Sequence, residues 1–347
     1  MKTIAAGIAG FGLSGKVFHA PFLDAHPGFR LKAFATTGDE AARLYPDSVI
    51  CRNFNDLIHD KDIRLIVICT PHLLHVSQAI EAMEAGKDVI IEKPVAMSSR
   101  DVKTLIRMAE ASGKRWFPYH NRRWDGDFLT VRQLIKEKTL GNITDFESHF
   151  DRYTPEIGRA AWRYNDASGG GTLFDLGPHL IDQTVALFGK PDSVWCKLYT
   201  RRRESKASDS FDLKLFYPET TATLKAGVFM AEPGPRFQVH GTLGSYIKYG
   251  VDPQEARLRN GAKAGSPAIG KERVSDYGIL ATYSRGELNR RRYPTLNGNY
   301  MGFYDNVYKV LTRGGKPEIN ADDALLNLLI IEAAIRSDAE GKIIPIV

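Results

Sequence analysis

Apolar residues fall along this chain in two rhythms. Up to about residue 120, short continuous runs (Ile4 to Ala9, Leu31 to Thr36, Leu65 to Cys69, Val89 to Ile91, and more weakly Arg115 to Pro118) alternate with stretches of helical spacing: Ser14 to Asp24, Glu40 to Leu44, His72 to Ala85 and Ser99 to Ser112. A continuous apolar run suits a strand buried on both faces, and strands separated by helices require a parallel sheet covered on either side. The helices agree in detail. Leu73, Val76, Ile80 and Met83 recur at spacings of three and four with Gly86 just past the last turn, an apolar stripe with a C-terminal glycine. Ser98 or Ser99 can cap the next helix, whose stripe is Val102, Leu105, Ile106 and Ala109 and whose end is Gly113. The pattern predicts an α/β domain over residues 1–120, built on a doubly wound parallel sheet.

Beyond about residue 142 the segments lengthen and alternate: Ile143 to Tyr153, Val194 to Arg201, Phe211 to Tyr217, Thr221 to Phe229 and Arg236 to His240. Alternation indicates strands with two chemically different faces, so residues 121–347 are expected to form an α+β domain with a mostly antiparallel open sheet, crossed by the helical segment before Gly189. From Asp252 to Asn299 the pattern dissolves into Gly, Arg, Ser and Asn, which reads as a long surface excursion or an oligomer arm. Met301 to Leu311 and Ala321 to Ser337 read as closing helices.

Composition narrows the class. A chain of 347 residues has material for two cores. Cys51, Cys69 and Cys196 are too scattered for a disulfide framework and form no CxxC pair for structural zinc, so a reducing compartment is expected and no metal. The net charge of +6 is spread along the chain, with Arg201 to Arg203 and Arg290 to Arg292 the tight runs and no aromatic-interleaved basic module; a nucleic-acid partner is not expected. Thr3 to Leu13 has the outline of a short signal peptide, but glycines interrupt it and no A-x-A-like site follows. Nothing approaches the roughly 18 consecutive apolar residues of a membrane span. A cytoplasmic protein without a membrane partner is expected.

The chemistry begins at Gly10, Gly12 and Gly15, a GxGxxG directly after the first strand that opens the first helix. The first glycine permits a tight turn, the second lets a pyrophosphate approach the backbone, and the third lets helix and strand pack closely; an ordinary glycine-rich turn is the plain alternative. Phe11 and Leu13 lie in the same turn. In such a sheet the end of the second strand selects the dinucleotide, an acid holding the ribose of NAD. Here that strand runs Phe34, Ala35, Thr36, Thr37, Gly38, with no acid until Asp39. The missing carboxylate and the Thr36 and Thr37 hydroxyls, with Arg43 a turn later, favour NADP, with NAD as the alternative.

Two further strand ends fall on the cofactor edge: Thr70, Pro71, His72 through His75, and Glu92, Lys93, Pro94. A third cluster follows three glycines, Gly169 to Gly171. If that stretch is helical, Asp175, His179 and Asp182 share a face, although Pro178 is comfortable only in a first turn, so a helix either begins near Asp175 or begins near Thr172 and bends. Either way Asp175 and His179 lie close, and an early-helix position disfavours imidazolium through the dipole. A helix cap and a hydrogen-bonded histidine are the plain reading of the same residues. Tyr119 to Asp125 falls at the domain junction, and Trp162, Arg163 and Tyr164 precede the glycines.

Together, the Gly10, Gly12, Gly15 fingerprint, Glu92-Lys93-Pro94 and Asp175 to His179 resemble the glucose-fructose oxidoreductase, inositol dehydrogenase and rhizopine-catabolism (Gfo/Idh/MocA) family over the whole chain. Gly12 to Pro21, Tyr119 to Asp125, Asp182 to Thr184 and Ile247 to Gly250 are similar to its NADP-dependent scyllo-inositol dehydrogenase branch, except that the branch tends to carry Ser-Arg where this chain has Thr36 and Thr37. The resemblance implies a Rossmann domain, a second domain whose open sheet makes dimers or tetramers, and a polyol or sugar substrate. It implies that Lys93 hydrogen-bonds the reacting oxygen, His179 takes the hydroxyl proton and Asp175 orients both substrate and His179. It also implies that a cis bond before Pro94 turns Lys93 inward and that Arg122 lies near substrate and nicotinamide; Asn121, where other branches carry different residues, and Trp162 and Arg163 are candidate cofactor contacts beside it. An aldose, ketosugar or dihydrodiol dehydrogenase keeps the chemistry with another substrate, and a catalytically silent dinucleotide sensor is the alternative of another class.

Overall fold

The computed structural model describes residues 3–157 and 170–347. Trp162, Arg163 and Tyr164, three of the expected site residues, lie outside the described residues. The chain forms two compact units. The first comprises Met1–Asn121, Gln254–Ile269 and Asn299–Leu325; the second comprises Arg122–Pro253, Gly270–Gly298 and Leu326–Val347.

In the first unit, strands β1 (Ile4–Ala9), β2 (Phe29–Ala35), β3 (Val49–Cys51), β4 (Leu65–Ile68), β5 (Asp88–Ile91) and β6 (Trp116–Pro118) form a sheet in the order β3-β2-β1-β4-β5-β6. Every pairing is parallel. β1, β4 and β5 are buried along their whole length, as their unbroken apolar runs require. Strand order reverses between β1 and β4, so the crevice beyond their carboxyl ends is the place where such sheets hold ligands. The chain is helical from residue 13 to 25, through a π-type turn at Gly15–His19 and then α1 (Ala20–Ala25). α2 (Glu40–Leu44), α3 (Phe54–His59), α4 (His75–Glu84) and α5 (Ser99–Ser112) follow. Ser98 caps α5, accepting from the Asp101 amide at 3.2 Å, and Gly113 ends it at φ 65°.

The second unit holds α6 (Gly126–Lys136), β7 (Ile143–Asp151), α7 (Thr172–Asp175), α8 (Gly177–Phe188), β8 (Ser193–Tyr199), β9 (Ser210–Phe216), β10 (Thr221–Gly227), β11 (Phe237–Gly241), β12 (Gly244–Lys248), β13 (Gly278–Ser284), β14 (Glu287–Tyr293) and β15 (Ile344–Pro345). Its strands form one sheet in the order β14-β13-β12-β11-β7-β10-β9-β8-β15. β7 and β10 pair in parallel and the remaining pairs are antiparallel.

Two segments far along the chain belong to the first unit: 254–269, with α9 (Gln254–Arg259), and 299–325, with α10 (Met301–Arg313) and the start of α11 (Ala321–Glu340). A single cut after residue 120 therefore captures only the N-terminal part of that unit. Packing explains the addition. The Tyr308 ring fills the space beside Gly28, where a Cβ would stand 2.4 Å from it. Phe22 stacks on Tyr304 at 5.4 Å, and the Arg64 Nη2 donates to the Leu311 carbonyl at 2.8 Å. The stretch 252–299, expected as a surface excursion or an oligomer arm, holds regular elements: α9, 3-10 turns at Pro267–Gly270 and Val274–Asp276, the edge strand β14 and β13 beside it. β14 is exposed along nearly its whole length, so it lacks the alternation by which strands are recognised.

Candidate active site

The glycine turn does in three dimensions what its spacing suggests. Gly10 leaves β1 at φ +88°, and a Cβ there would stand 2.8 Å from the Cys69 carbonyl oxygen; one on Gly15 would stand 2.6 Å from the Gly10 carbonyl oxygen. Both glycines are therefore required by main-chain packing. Gly12 differs, because a Cβ there meets nothing within 4 Å. The Gly10 amide donates to the Ala35 carbonyl at 2.9 Å and the Cys69 amide to the Ala9 carbonyl at 2.8 Å, which ties together the ends of β2, β1 and β4.

A cavity of about 510 Å³ opens over this turn, lined by Gly10, Phe11, Gly12, Ala35, Thr36, Thr37, Gly38, Glu40, Thr70 and Pro71. Open space over Gly12, strand-end hydroxyls and exposed main chain fit a dinucleotide, whose pyrophosphate needs close backbone approach. The structure thus gathers Gly10, Phe11, Gly12, Thr36, Thr37, Thr70 and Pro71 around one space. Phe11 packs edge-on against Phe34 at 5.0 Å, fixing its ring at the rim. Leu13 is exposed one step into the helical turn, and His72 opens the 3-10 turn His72–Leu74. Glu40 was not foreseen. It is the acid lining the cavity, and its Oε1 lies 2.6 Å from the Lys16 Nζ.

His75 sits deeper than a ligand contact would require. Its ring is buried, with Nδ1 2.8 Å from the Pro94 carbonyl and Nε2 2.9 Å from the Thr70 carbonyl, so it joins the two strand-end loops. Burial holds this imidazole below its ordinary value, and the two carbonyl contacts offset part of that. Glu92 is likewise a brace: its carboxylate accepts from the Ser14 hydroxyl and from the Lys93 amide at 2.9 Å, and lies 3.1 Å from the His19 Nε2. Burial alone would raise this carboxyl, but His19 and Lys93 outweigh it and hold it below the usual range. Lys93 is half-buried and precedes Pro94 through a cis peptide bond. Asn121, buried, ends the N-terminal segment of this unit.

In the second unit α7 and α8 resolve the Pro178 question. α7 ends at Asp175, Leu176 is the joint, and α8 starts at Gly177 with Pro178 in its first turn, where no amide is missed. His179 follows, buried, in that same first turn, and Asp175 is half-buried at the end of α7. Behind them lies a lattice that the sequence did not reveal. Arg123 grips Asp182 with two hydrogen bonds of 2.9 and 2.8 Å. Gln183 donates to the Arg122 carbonyl at 2.7 Å and accepts from the Arg236 Nη2 at 2.6 Å. The Phe150 ring carries Arg122 at 4.9 Å and Arg236 at 4.1 Å, and lies edge-on to His179 at 6.4 Å. The β7 alternation signals a buried Phe150; nothing in the linear sequence links Arg236 to Gln183.

Among the described residues no cluster of three or more His, Cys, Asp or Glu is placed to hold a metal ion, and no helix is long and apolar enough to cross a membrane.

A parallel sheet in this order, with a glycine turn and an open crevice at its switch point, defines a dinucleotide-binding domain. Comparison with known proteins agrees. Residues 4–120 match the oxidoreductase family's NAD-binding Rossmann fold and residues 128–247 match the GFO/IDH/MocA C-terminal domain. The chain belongs to the GFO/IDH/MocA oxidoreductase family. It is 36% identical over 345 residues, 99% of this chain and 96% of the relative, to the scyllo-inositol 2-dehydrogenase (NADP(+)) IolW of Bacillus subtilis. It is also 36% identical to the uncharacterized oxidoreductase YdgJ of Escherichia coli, over 96% of each chain. Among solved structures, YvaA of Bacillus subtilis superposes with a TM-score of 0.96 at 36% identity, covering 100% of this chain and 99% of the other. A protein of Bacteroides fragilis superposes with a TM-score of 0.91 at 41% identity, covering 99% and 100%.

Proposed function

We propose that this oxidoreductase is an NADP-linked dehydrogenase of a secondary alcohol on a cyclic polyol or sugar, with scyllo-inositol and the corresponding inosose as its substrate pair. The observation that carries this reading is the near full-length similarity to an NADP-dependent scyllo-inositol 2-dehydrogenase, in a chain whose sequence carries Lys93, Asp175 and His179. The uncharged end of β2, where Thr36 and Thr37 line the cavity, supports the cofactor.

When bound, the nicotinamide supplies hydride acceptance in oxidation and hydride donation in reduction. The residues of the chain manage the oxygen. In oxidation the hydroxyl proton passes to neutral His179 as the C–H bond gives up its hydride, and the Lys93 ammonium donates a hydrogen bond to the oxygen where negative charge develops. Asp175 orients the substrate and the imidazole. In reduction His179 returns the proton to the carbonyl oxygen. The same reading makes the protein a cytoplasmic homodimer or homotetramer joined through the second unit's sheet, which sedimentation analysis tests.

The decisive experiment is a panel of inositols, sugars and ketones assayed by absorbance of the reduced cofactor, with Lys93→Ala and His179→Ala as controls. Turnover on a cyclic polyol is expected to fall about 10²–10⁴-fold in each variant. Unchanged turnover in both variants removes the assigned roles. Tight NADPH binding without turnover on any member of the panel replaces the enzyme with a sensor.

A further inference from the structure

The end of β2 carries no charge, yet the structure brings cations to it from two other elements. β3 runs beside β2, with Cys51 paired to Ala35 and the Thr36 amide donating to the Cys51 carbonyl at 3.2 Å. The next residue is Arg52. Adjacent strands lie about 4.8 Å apart, so a side chain one step beyond the pair reaches its neighbour's end. The Arg52 Nη1 donates to the Thr37 carbonyl at 3.4 Å, and its Nη2 lies 3.7 Å from the Asp39 carboxylate. Arg52 and Asp39 are 68% and 82% exposed, so this ion pair is loose and the guanidinium can change partner.

The second cation is Lys16. A bare carboxylate at Glu40, inside the cavity lining, would repel a phosphate and accept from ribose hydroxyls, the arrangement that selects NAD. Lys16 neutralises it from the turn just after Gly15.

We propose that Arg52 is the ligand for the 2′-phosphate of NADP, joined by the Thr36 and Thr37 hydroxyls, and that Lys16 permits this by masking Glu40. The arginine that dinucleotide sheets usually place after the second strand is here delivered sideways from the third. A phosphate dianion offers the guanidinium more charge than Asp39 does, and two oxygens in fork geometry. This inference rests on the NADP reading above, and binding measurements separate the two.

The test is calorimetric titration of NADPH, NADH and 2′,5′-ADP against the full chain and against Arg52→Ala, Lys16→Ala and Lys16→Ala/Glu40→Gln. The unaltered chain is expected to prefer NADPH. Arg52→Ala is expected to weaken NADPH and 2′,5′-ADP by about tenfold or more, the scale of a lost charge-assisted hydrogen bond, and to leave NADH within about twofold. Lys16→Ala is expected to weaken NADPH more than NADH, and adding Glu40→Gln is expected to restore NADPH. If the unaltered chain prefers NADH, the cofactor reading fails and takes this inference with it. If it prefers NADPH and Arg52→Ala leaves the preference unchanged, the cofactor reading stands and the inference is overturned. Failure of Glu40→Gln to restore NADPH overturns the masking role of Lys16.

Discussion

The two units build their sites from opposite materials. In the first, the cavity over the glycine turn is shaped by main chain and hydroxyls, and its charges sit at the surface, with Lys16 and Glu40 40% and 42% exposed. In the second, the side chains behind His179 are ionic and buried, Arg123 and Asp182 being 7% and 2% exposed. A neutral main-chain cradle tolerates variation at its charged rim, because an exposed pair contributes only about 0–1 kcal/mol. A buried pair does not, since removing one partner strands the other charge. Asp182→Ala is accordingly expected to cost about 3–5 kcal/mol in urea denaturation, whereas Asp39→Ala, beside exposed Arg52, is expected to cost under about 0.5 kcal/mol. Equal costs would erase the contrast between the units.

Glu92 sharpens the comparison from within the first unit, where it and Asp88 are buried carboxylates away from the exposed charges of the cavity rim. Because its folded value is depressed, it stabilises the fold fully above the ordinary carboxyl value of 4.5, and that contribution is lost as pH falls from there through the depressed folded value. Glu92→Gln keeps one acceptor oxygen, enough for the Ser14 hydroxyl or the Lys93 amide but not for both, and loses the charge facing His19. It is expected to lower stability at neutral pH by about 2 kcal/mol and to flatten the acid limb of stability against pH. A variant with the same acid limb as the parent would show that Glu92 is not the titrating brace.

What was legible in the sequence follows the same division. β1, β4 and β5 announce themselves because burial on both faces demands unbroken apolar runs, and Gly10 and Gly15 because no side chain fits beside the Cys69 and Gly10 carbonyls. The α7–α8 break is legible through Pro178, although this proline fits a start near Thr172 with a bend as well as a start near Asp175. β3 was not legible: three residues with no fully buried position leave no apolar signature, and with β3 went the significance of Arg52. β14, exposed throughout most of its length, has no alternation to show. The Gln183–Arg236 bond joins residues 53 apart in sequence, and only the register of β11 beside β7 brings Arg236 near Phe150 and Ser148. Local periodicity reports burial, and it is silent where a site is assembled from exposed strand ends or from partners distant along the chain.

The finest test of the comparison lies within one motif. Gly12 and Gly15 are both fingerprint glycines, yet a Cβ on Gly15 would strike the Gly10 carbonyl oxygen at 2.6 Å while one on Gly12 would meet nothing within 4 Å. Gly15→Ala must shift main chain at the β1 turn, and a cost of about 1–3 kcal/mol is expected, as for an overpacked interior. Gly12→Ala has no such cost; its stability should stay within about 0.5 kcal/mol of the parent. NADPH affinity should nonetheless fall about tenfold or more, because the added methyl occupies the space a pyrophosphate needs. Thermal unfolding in the absence of cofactor, set beside calorimetric titration, separates the two effects. If Gly12→Ala binds NADPH as tightly as the parent, the open space over Gly12 is not the phosphate seat, and the cavity bounded by Thr36, Thr37 and Thr70 would have to hold its ligand in another orientation.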